Sequence, residues 1–256
     1  MKKLLLLIPV AGVAVGAYVL LRGNNSIPVT IVESRAQVGD LDALARRWYA
    51  SDRARMETRS GGESSVFIVR LDKKEVWTLD EQSKTCTIRR IADIYAEAKK
   101  ASESALSTAR RDPAWQRDLP ALERYMRGEY EVSTSPRKVA KLGYDCTEIS
   151  VRLGNVFRAR ALVASDKRFP PSAGEVGEVS VLLSGLGRGM GEAARHWRRK
   201  RRAFGNVLVS TEKMVRGITP GASRRMSAVL VSVDVERVNR GLFEIPDNYS
   251  IGRKSP

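Results

Sequence analysis

The chain has 256 residues, 43% of them hydrophobic and 29% charged, and 45 Lys and Arg against 29 Asp and Glu give a formal net charge of +16. This composition excludes an intrinsically disordered chain, and two cysteines in this length exclude a disulfide-dense scaffold. The charge excess suggests an anionic neighbour, either nucleic acid or phospholipid, although an arginine-rich composition can also arise without a binding role.

The N-terminus has two lysines followed by eighteen uncharged, mainly apolar residues, 4–21, and then Arg22. The apolar run is longer than the core of a secretory signal and about as long as a bilayer is thick. We therefore expect residues 1–22 to be an uncleaved signal anchor in the inner membrane, with a cleaved signal peptide as the alternative. The lysines would hold the N-terminus in the cytoplasm and leave the following domain in the periplasm or at the cell exterior.

A polar linker, residues 23–29, precedes a series of short segments with alternating apolar residues and turn-forming clusters between them. The segments TIVESRAQ, RRWYASDRARMETR, SSVFIVRL, EVWTL and TCTIRR each predict a strand of an antiparallel meander. In SSVFIVRL, Val66 and Ile68 face one way while Phe67 and Val69 face the other. We expect this strand to be covered on both faces, since both carry apolar residues.

Two inserts have helical rather than strand spacing. An alanine-rich stretch that begins at Ile91 and is interrupted by two prolines predicts helical pieces over residues 91–128. Residues 174–204 carry a second apolar stripe, which continues across four closely spaced glycines and predicts another helix. The members of that stripe are Leu183, Leu186, Met190, Ala194 and Trp197.

Strand patterns return between and after the inserts. Residues 137–165 predict two strands that turn at residues 153–155, and residues 204–215 and 223–238 predict two more. The fold class predicted is α+β, a long antiparallel sheet with helical insertions on one side.

Several of these segments occur in an order that resembles a family of exported bacterial proteins of unknown function. They are RARMETR, SSVFIVRLDKKEVWTLDEQSKTCTIR, a helical insert, LGYDCTEISVR and LFEIPDNY, and the resemblance covers most of residues 30–250 apart from much of the helical inserts. That family is similar to the LolA and LolB lipoprotein carriers. The resemblance implies a curved antiparallel half-barrel over residues 30–252, with the helical inserts packed on its concave side.

The same resemblance implies that the half-barrel binds a lipid, another apolar ligand or a lipoprotein. The side chains expected to line such a cavity are those of Phe67, Val69, Trp77, Leu79 and Val163. A filled core would use the same residues, and the ligand is inferred by analogy of fold alone.

The two cysteines, Cys86 and Cys146, are separated by about sixty residues. An exported domain with an even number of cysteines can oxidise them, so a disulfide between them is one prediction. The alternative is two buried thiols that act as small apolar side chains. The resembled family commonly has Tyr where this chain has Cys86, so the resemblance does not require the bond.

The second insert contains a cluster of basic residues around a tryptophan. A basic amphipathic helix with an aromatic anchor can lie on an anionic bilayer, so these residues are a candidate contact with anionic phospholipid. The alternative is that Trp197 and Phe204 pack on the sheet while the arginines are solvated. The candidate residues are Arg195, Trp197, Arg198, Arg199, Lys200, Arg201 and Arg202.

Catalytic and metal sites have no supporting motif in the sequence. The single histidine, His196, lies in the strongly cationic RHWRRKRR, where a metal ion is disfavoured, and we expect it to be solvated. The glycine-rich GLGRGMGE lacks the Lys and Ser/Thr ending of a phosphate-binding loop. We therefore predict no catalytic residue, no metal and no cofactor.

The function favoured by the sequence is that of a membrane-anchored periplasmic, non-enzymatic protein that binds a lipid, another apolar ligand or a lipoprotein. One alternative is a basic nucleic-acid-binding protein, which the export-like N-terminus and an aromatic content of 6% disfavour. Another alternative is a structural component of an envelope assembly.

Overall fold

The computed structural model describes residues 25–183, 189–216 and 224–253. In these ranges twelve strands form one open, curved sheet and four helices pack against it, which makes the fold α+β. The predicted signal anchor, residues 1–22, lies outside the described residues. No helix within the described ranges combines the length and the apolar character needed to cross a membrane.

The sheet follows the predicted antiparallel meander over its first six strands. The strands are β1 (Ser26–Val38), β2 (Leu41–Tyr49), β3 (Arg53–Ser60), β4 (Glu63–Arg70), β5 (Glu75–Asp80), β6 (Thr85–Arg90), β7 (Ser133–Lys141), β8 (Tyr144–Leu153), β9 (Phe157–Ala164), β10 (Val207–Val215), β11 (Arg224–Asn239) and β12 (Ser250–Arg253). Their order across the sheet is β12-β6-β5-β4-β3-β2-β1-β11-β10-β9-β8-β7. Neighbouring strands are antiparallel except β12, which is parallel to β6.

Three strand predictions need correction. The prediction of one strand in RRWYASDRARMETR is wrong, because the chain turns at residues 50–52 and continues as β3. The second group of strands has an additional hairpin, β7 with β8, which turns at Leu142 and Gly143. The predicted linker, residues 23–29, is partly strand, since β1 begins at Ser26.

Both predicted inserts are helical. The helices are α1 (Ile91–Arg111), α2 (Leu119–Arg127), α3 (Ala173–Leu183) and α4 (Gly191–Arg202), and a 3-10 turn, Pro113–Trp115, lies between α1 and α2. The second insert therefore contains two helices instead of one. Gly189, with a φ of 92°, precedes α4 in a backbone conformation that favours glycine. Leu186 of the predicted apolar stripe lies outside the described residues.

Two of the irregularities in strand pairing lie in the interior of the curved sheet. The register of β1 with β11 shifts at Glu33/Ser34, and that of β10 with β9 shifts at Leu208/Ser210. An extra residue at such a bulge bends the strand and increases its local twist. With the twist that accumulates over many strands, these bulges allow the sheet to bend around the helical layer.

The buried apolar side chains form three clusters. The first joins the central strands to α3 and the start of α1, and the second joins β8 and β9 to α2 and α4. The third lies under the C-terminal segment, residues 240–249. In β4, Val66 and Ile68 belong to the third cluster, whereas Phe67 and Val69 pack in the first, so the prediction that this strand is covered on both faces is confirmed.

The end of α2 is packed closely against α4. Gly128 caps α2 with a φ of 70°, and a methyl group added there would lie 2.7 Å from Cγ of His196. We expect Gly128→Ala to lower the free energy of unfolding by about 1–3 kcal/mol in urea denaturation, because the left-handed backbone and the imidazole both oppose a side chain. Gly143→Ala is the control, since Gly143 has a φ of 75° and open space around the added methyl. Equal losses in both variants would contradict the contact with His196.

Candidate functional site

The site is built on α4, whose orientation is fixed by Trp197. This side chain is buried, and its ring meets that of Phe157 in β9 edge to face, with centroids 5.6 Å apart. The alternative expectation that Trp197 packs on the sheet is therefore confirmed. Arg201 lies four residues further along α4, hence on the same side of the helix, and it is directed inwards.

Arg201 is a buried cation whose side chain is not fully hydrogen-bonded. It is 4% exposed, and its Nη1 has no hydrogen-bond partner. Arg198 also has a buried Nε without a partner, while its Nη2 donates to the carbonyl of Ala173 at 3.3 Å. Burial, followed by the charges of Arg198 and Arg202, lowers the pKa of Arg201 to about 9.

Two cations of the sheet face these arginines. Lys213 in β10 lies opposite Ala159, which packs in the second cluster, so Lys213 points to the helix-covered face. Arg47 in β2 lies opposite Met56 of the first cluster and shares the same face. Burial, followed by the charge of Arg201, lowers the pKa of Lys213 to about 8. We call this group the inner basic cluster, which consists of Arg47, Arg198, Arg201, Arg202 and Lys213.

Two glycines of α3 make room for the arginines. A Cβ atom at Gly174 would lie 1.9 Å from Nη1 of Arg202, and one at Gly177 would lie 1.6 Å from Nη2 of Arg198. The guanidinium groups therefore occupy space that any other residue would fill with its side chain. Gly174 and Gly177 lie about one turn apart on α3, and Arg198 and Arg202 lie about one turn apart on α4. Each glycine therefore contacts one arginine, and both guanidinium groups lie at the start of α3.

A groove of about 680 Å³ lies between α1, α3 and α4. We call it the outer groove, and its lining residues are Tyr95, Ala96, Lys99, Pro171, Glu175, Glu178, Glu192, Arg195, Arg199 and Arg202. Within it, Arg199 pairs with Glu178 at 2.7 Å, and the guanidinium of Arg195 lies 5.1 Å from the ring centroid of Tyr95. Arg202 belongs to both the outer groove and the inner basic cluster and connects the two.

The partly buried Lys213 has a testable consequence for stability. The pKa of Lys213 is lowered from 10.5 to about 8 in the folded chain, so the unfolded chain binds more protons between these values. We expect the free energy of unfolding to rise with pH across this interval, and Lys213→Met to remove the part of that rise below about pH 9, the folded-state pKa of Arg201. Urea denaturation between pH 7 and 10.5 measures it. The control, Lys100→Met on exposed α1 surface, should keep the wild-type slope, and an unchanged slope in Lys213→Met would contradict the burial.

The five residues predicted to line an apolar cavity are not brought together. Phe67 and Val69 pack with the first cluster, whereas Trp77 and Leu79 lie in the third cluster on the other face of the sheet. Val163 is buried in the second cluster. All five contribute to the packed cores.

The predicted membrane-contact residues are divided by the orientation of α4. Trp197 and Arg201 are buried, so neither can meet a bilayer while α4 stays on the sheet. Lys200 packs its ammonium 5.3 Å from the ring centroid of Tyr130, and Arg199 is exposed. The expectation that the arginines are all solvated is wrong for Arg201.

The prediction that His196 is solvated is also wrong. The imidazole is half-buried against Gly128, and burial, reinforced by the charge of Arg195, lowers its pKa. Among residues 25–183, 189–216 and 224–253, no group of three or more His, Cys, Asp and Glu side chains is arranged to hold a metal ion.

The predicted disulfide is wrong. Cys86 and Cys146 are both buried free thiols, and eight strands separate β6 from β8 in the sheet. Cys86 packs in the third cluster and Cys146 in the first. Burial raises the pKa of both thiols, as expected for cysteines that act as small apolar side chains.

Sequence reasoning missed Lys213 and Arg47. The strand pattern of VLVSTEKMV could have indicated the position of Lys213. Lys213 follows Val209 and Thr211 at spacings of two, so its side chain is expected on the same inward face of the strand. The opposing arginines of α4 could not be assigned to that face from the sequence, because their direction depends on Trp197.

Comparisons with known proteins give structural likenesses but no sequence match. No family model matches the chain, and no curated protein sequence matches it. Similar solved structures include an uncharacterized conserved protein from Thermus thermophilus, with a TM-score of 0.45 and 10% identity over 93% of this chain and 99% of that one. A LolA superfamily protein from Nitrosomonas europaea has a TM-score of 0.27 and 8% identity, covering 86% of this chain and 90% of that one. These values assign neither a family nor a ligand.

Proposed function

We propose that this chain is a membrane-anchored, non-enzymatic protein that binds an amphipathic ligand, such as a lipid, on the outer side of the inner membrane. The outer groove carries this proposal. Its volume of about 680 Å³ falls in the range of small-molecule sites. Tyr95, Ala96 and Pro171 offer apolar contact beside the charged walls, which suits a ligand with an apolar part and a charged part. The apolar run of residues 4–21 supports attachment to a membrane.

Ligand binding is tested by native mass spectrometry of the full chain purified from membranes in mild detergent. We expect a lipid-sized adduct on the wild type and its loss in Ala96→Trp, because the indole would fill the outer groove. Ala92→Trp is the matched control, since Ala92 is an exposed alanine of the same helix that does not line the groove. An adduct that survives Ala96→Trp, or a wild type without one, would remove the basis of the proposal.

The location is tested separately with C-terminal reporter fusions. We expect alkaline phosphatase, which needs an oxidising compartment, to be active and a cytoplasmic reporter to be inactive.

The reverse pattern of reporter activity would contradict the anchor and favour the nucleic-acid alternative. In that case nucleic acid should co-purify and be released steeply by salt. Recovery of the ligand-free chain in a stable envelope complex would instead favour the structural alternative.

A further inference from the structure

The inner basic cluster is a separate feature from the apolar contacts of the outer groove. We propose that it is a binding site for a phosphate-type anion, taken either as the head group of the bound amphiphile or as free phosphate. For a head group the inference rests on the proposed function, since it names the charged part of the same ligand.

The charge balance of the cluster calls for an anion. Burying a cation costs several kcal/mol unless it is paired, and chains normally supply a carboxylate for each buried arginine. The carboxylate of Glu178, whose charge acts on Arg198, is already paired with Arg199 at 2.7 Å. Arg201 and Lys213 face each other as like charges. A bound anion would offset this repulsion and the cost of burial together.

The unpartnered donors show where the anion would bind. Nη1 of Arg201 and Nε of Arg198 are buried N–H groups without acceptors, and both belong to side chains of α4. A buried donor left unsatisfied costs about 1–3 kcal/mol, so such groups are rare unless an acceptor is supplied. An anion in contact with both arginines would supply acceptors for both.

Phosphate fits the donor set better than a carboxylate does. Arginines present several N–H donors in a fixed plane and an ammonium group adds a point charge, a combination that recurs around phosphate oxygens. The cluster offers four guanidinium groups and one ammonium group, and the four oxygens of a phosphate can contact more of these groups than the two oxygens of a carboxylate can. Gly174 and Gly177 hold two of the guanidinium groups in place before any ligand arrives, which reduces the entropic cost of binding.

The fold also provides an access route. Arg202 lines the outer groove and its charge acts on both Arg198 and Arg201. A ligand seated in the outer groove could therefore place its charged end against Arg202 and the arginines behind it. This arrangement would orient an amphiphile with its head inwards and its apolar part along α1 and α3.

Two probes separate the two sources of phosphate. Inorganic phosphate and short-chain phosphatidylglycerol are titrated by calorimetry into the full chain in detergent, with short-chain diacylglycerol, which has no phosphate, as the neutral comparison. We expect inorganic phosphate to bind the wild type, and Arg201→Gln and Gly177→Ala each to weaken binding by about tenfold or more. Gly177→Ala leaves the net charge unchanged and displaces Arg198. Arg158→Gln, an exposed arginine on the opposite face of β9, is the charge-matched control and should bind as the wild type does.

The outcomes distinguish the inference from the proposed function. Binding of both anionic probes that is lost in Arg201→Gln supports the head-group assignment, and binding of inorganic phosphate alone supports a free-phosphate site. Equal weakening in Arg201→Gln and Arg158→Gln overturns the site, because the effect would then be one of net charge. If the anionic and neutral lipids bind equally and Arg201→Gln changes neither, the inference fails while lipid binding in the outer groove stands.

Discussion

Replacing Phe243 with alanine is expected to lower the free energy of unfolding by about 3–5 kcal/mol, the usual cost of deleting a fully buried aromatic ring. Phe243 is 0% exposed and ends the 3-10 turn Arg240–Phe243. Its ring packs in the third cluster with Ile68 of β4 and Trp77 of β5. The C-terminal segment, residues 240–249, thereby covers a face of the sheet opposite the helices.

The ring is held there by a polar contact on the next residue. Arg70 of β4 donates from Nη1 to both carboxylate oxygens of Glu244, at 2.8 and 2.9 Å, and from Nε and Nη2 to Asp72. Arg70 is itself buried, so breaking this contact would leave its Nη1 without the Glu244 carboxylate and the buried charge paired with Asp72 alone. The segment is therefore positioned by a buried cation as well as by the ring.

Urea denaturation followed by tryptophan fluorescence measures the effect of Phe243→Ala, since Trp77 reports directly on the third cluster. Ile251→Ala is the matched control near the same end of the chain, because Ile251 is 59% exposed on β12 and should change the stability by less than about 0.5 kcal/mol. Similar values for the two variants would mean that residues 240–249 are not docked as described.

Much of the sheet could be predicted from the sequence because its strands alternate. In β4, apolar residues alternate onto both faces of the strand, and this pattern predicted that both faces are covered. The third cluster covers the face of β4 opposite the helices. β7 was missed because its exposed residues and Pro136 give no apolar alternation. The pairing of β11 with β1 joins residues about two hundred positions apart, which no local pattern specifies.

The candidate site was predictable only in part, since burial of arginine runs against the ordinary preference of charged residues for water. The basic residues around Trp197 in the sequence predicted that α4 carries a contact site. The sequence could not indicate that Arg198 lies over Gly177 and Arg202 over Gly174, because these contacts join two helices whose relative position is set by tertiary packing. The predicted disulfide between Cys86 and Cys146 was wrong for a related reason. An even number of cysteines carries no information about the distance between β6 and β8.

Trp197→Ala is expected to cost about 3–5 kcal/mol of the free energy of unfolding, because it removes the ring that fixes α4 to the sheet. The indole is 6% exposed and contacts Phe157, which in turn stacks on Tyr125 of α2 at a centroid distance of 4.4 Å. Loss of this contact should also release the arginines of the inner basic cluster. Phosphate binding should then weaken together with stability.

The same variant separates the two predictions made for this helix. If Trp197 were a membrane anchor, its loss would reduce binding of the domain to phosphatidylglycerol vesicles and leave the free energy of unfolding nearly unchanged. A buried Trp197 predicts the opposite pattern, a large loss of stability and no specific loss of vesicle binding in the fraction that stays folded. Arg111→Ala at the exposed end of α1 is the control for surface charge, expected to cost less than about 1 kcal/mol, because the side chain is exposed. Denaturation and vesicle co-sedimentation of the two variants together decide whether α4 belongs to the interior of the protein or to a bilayer surface.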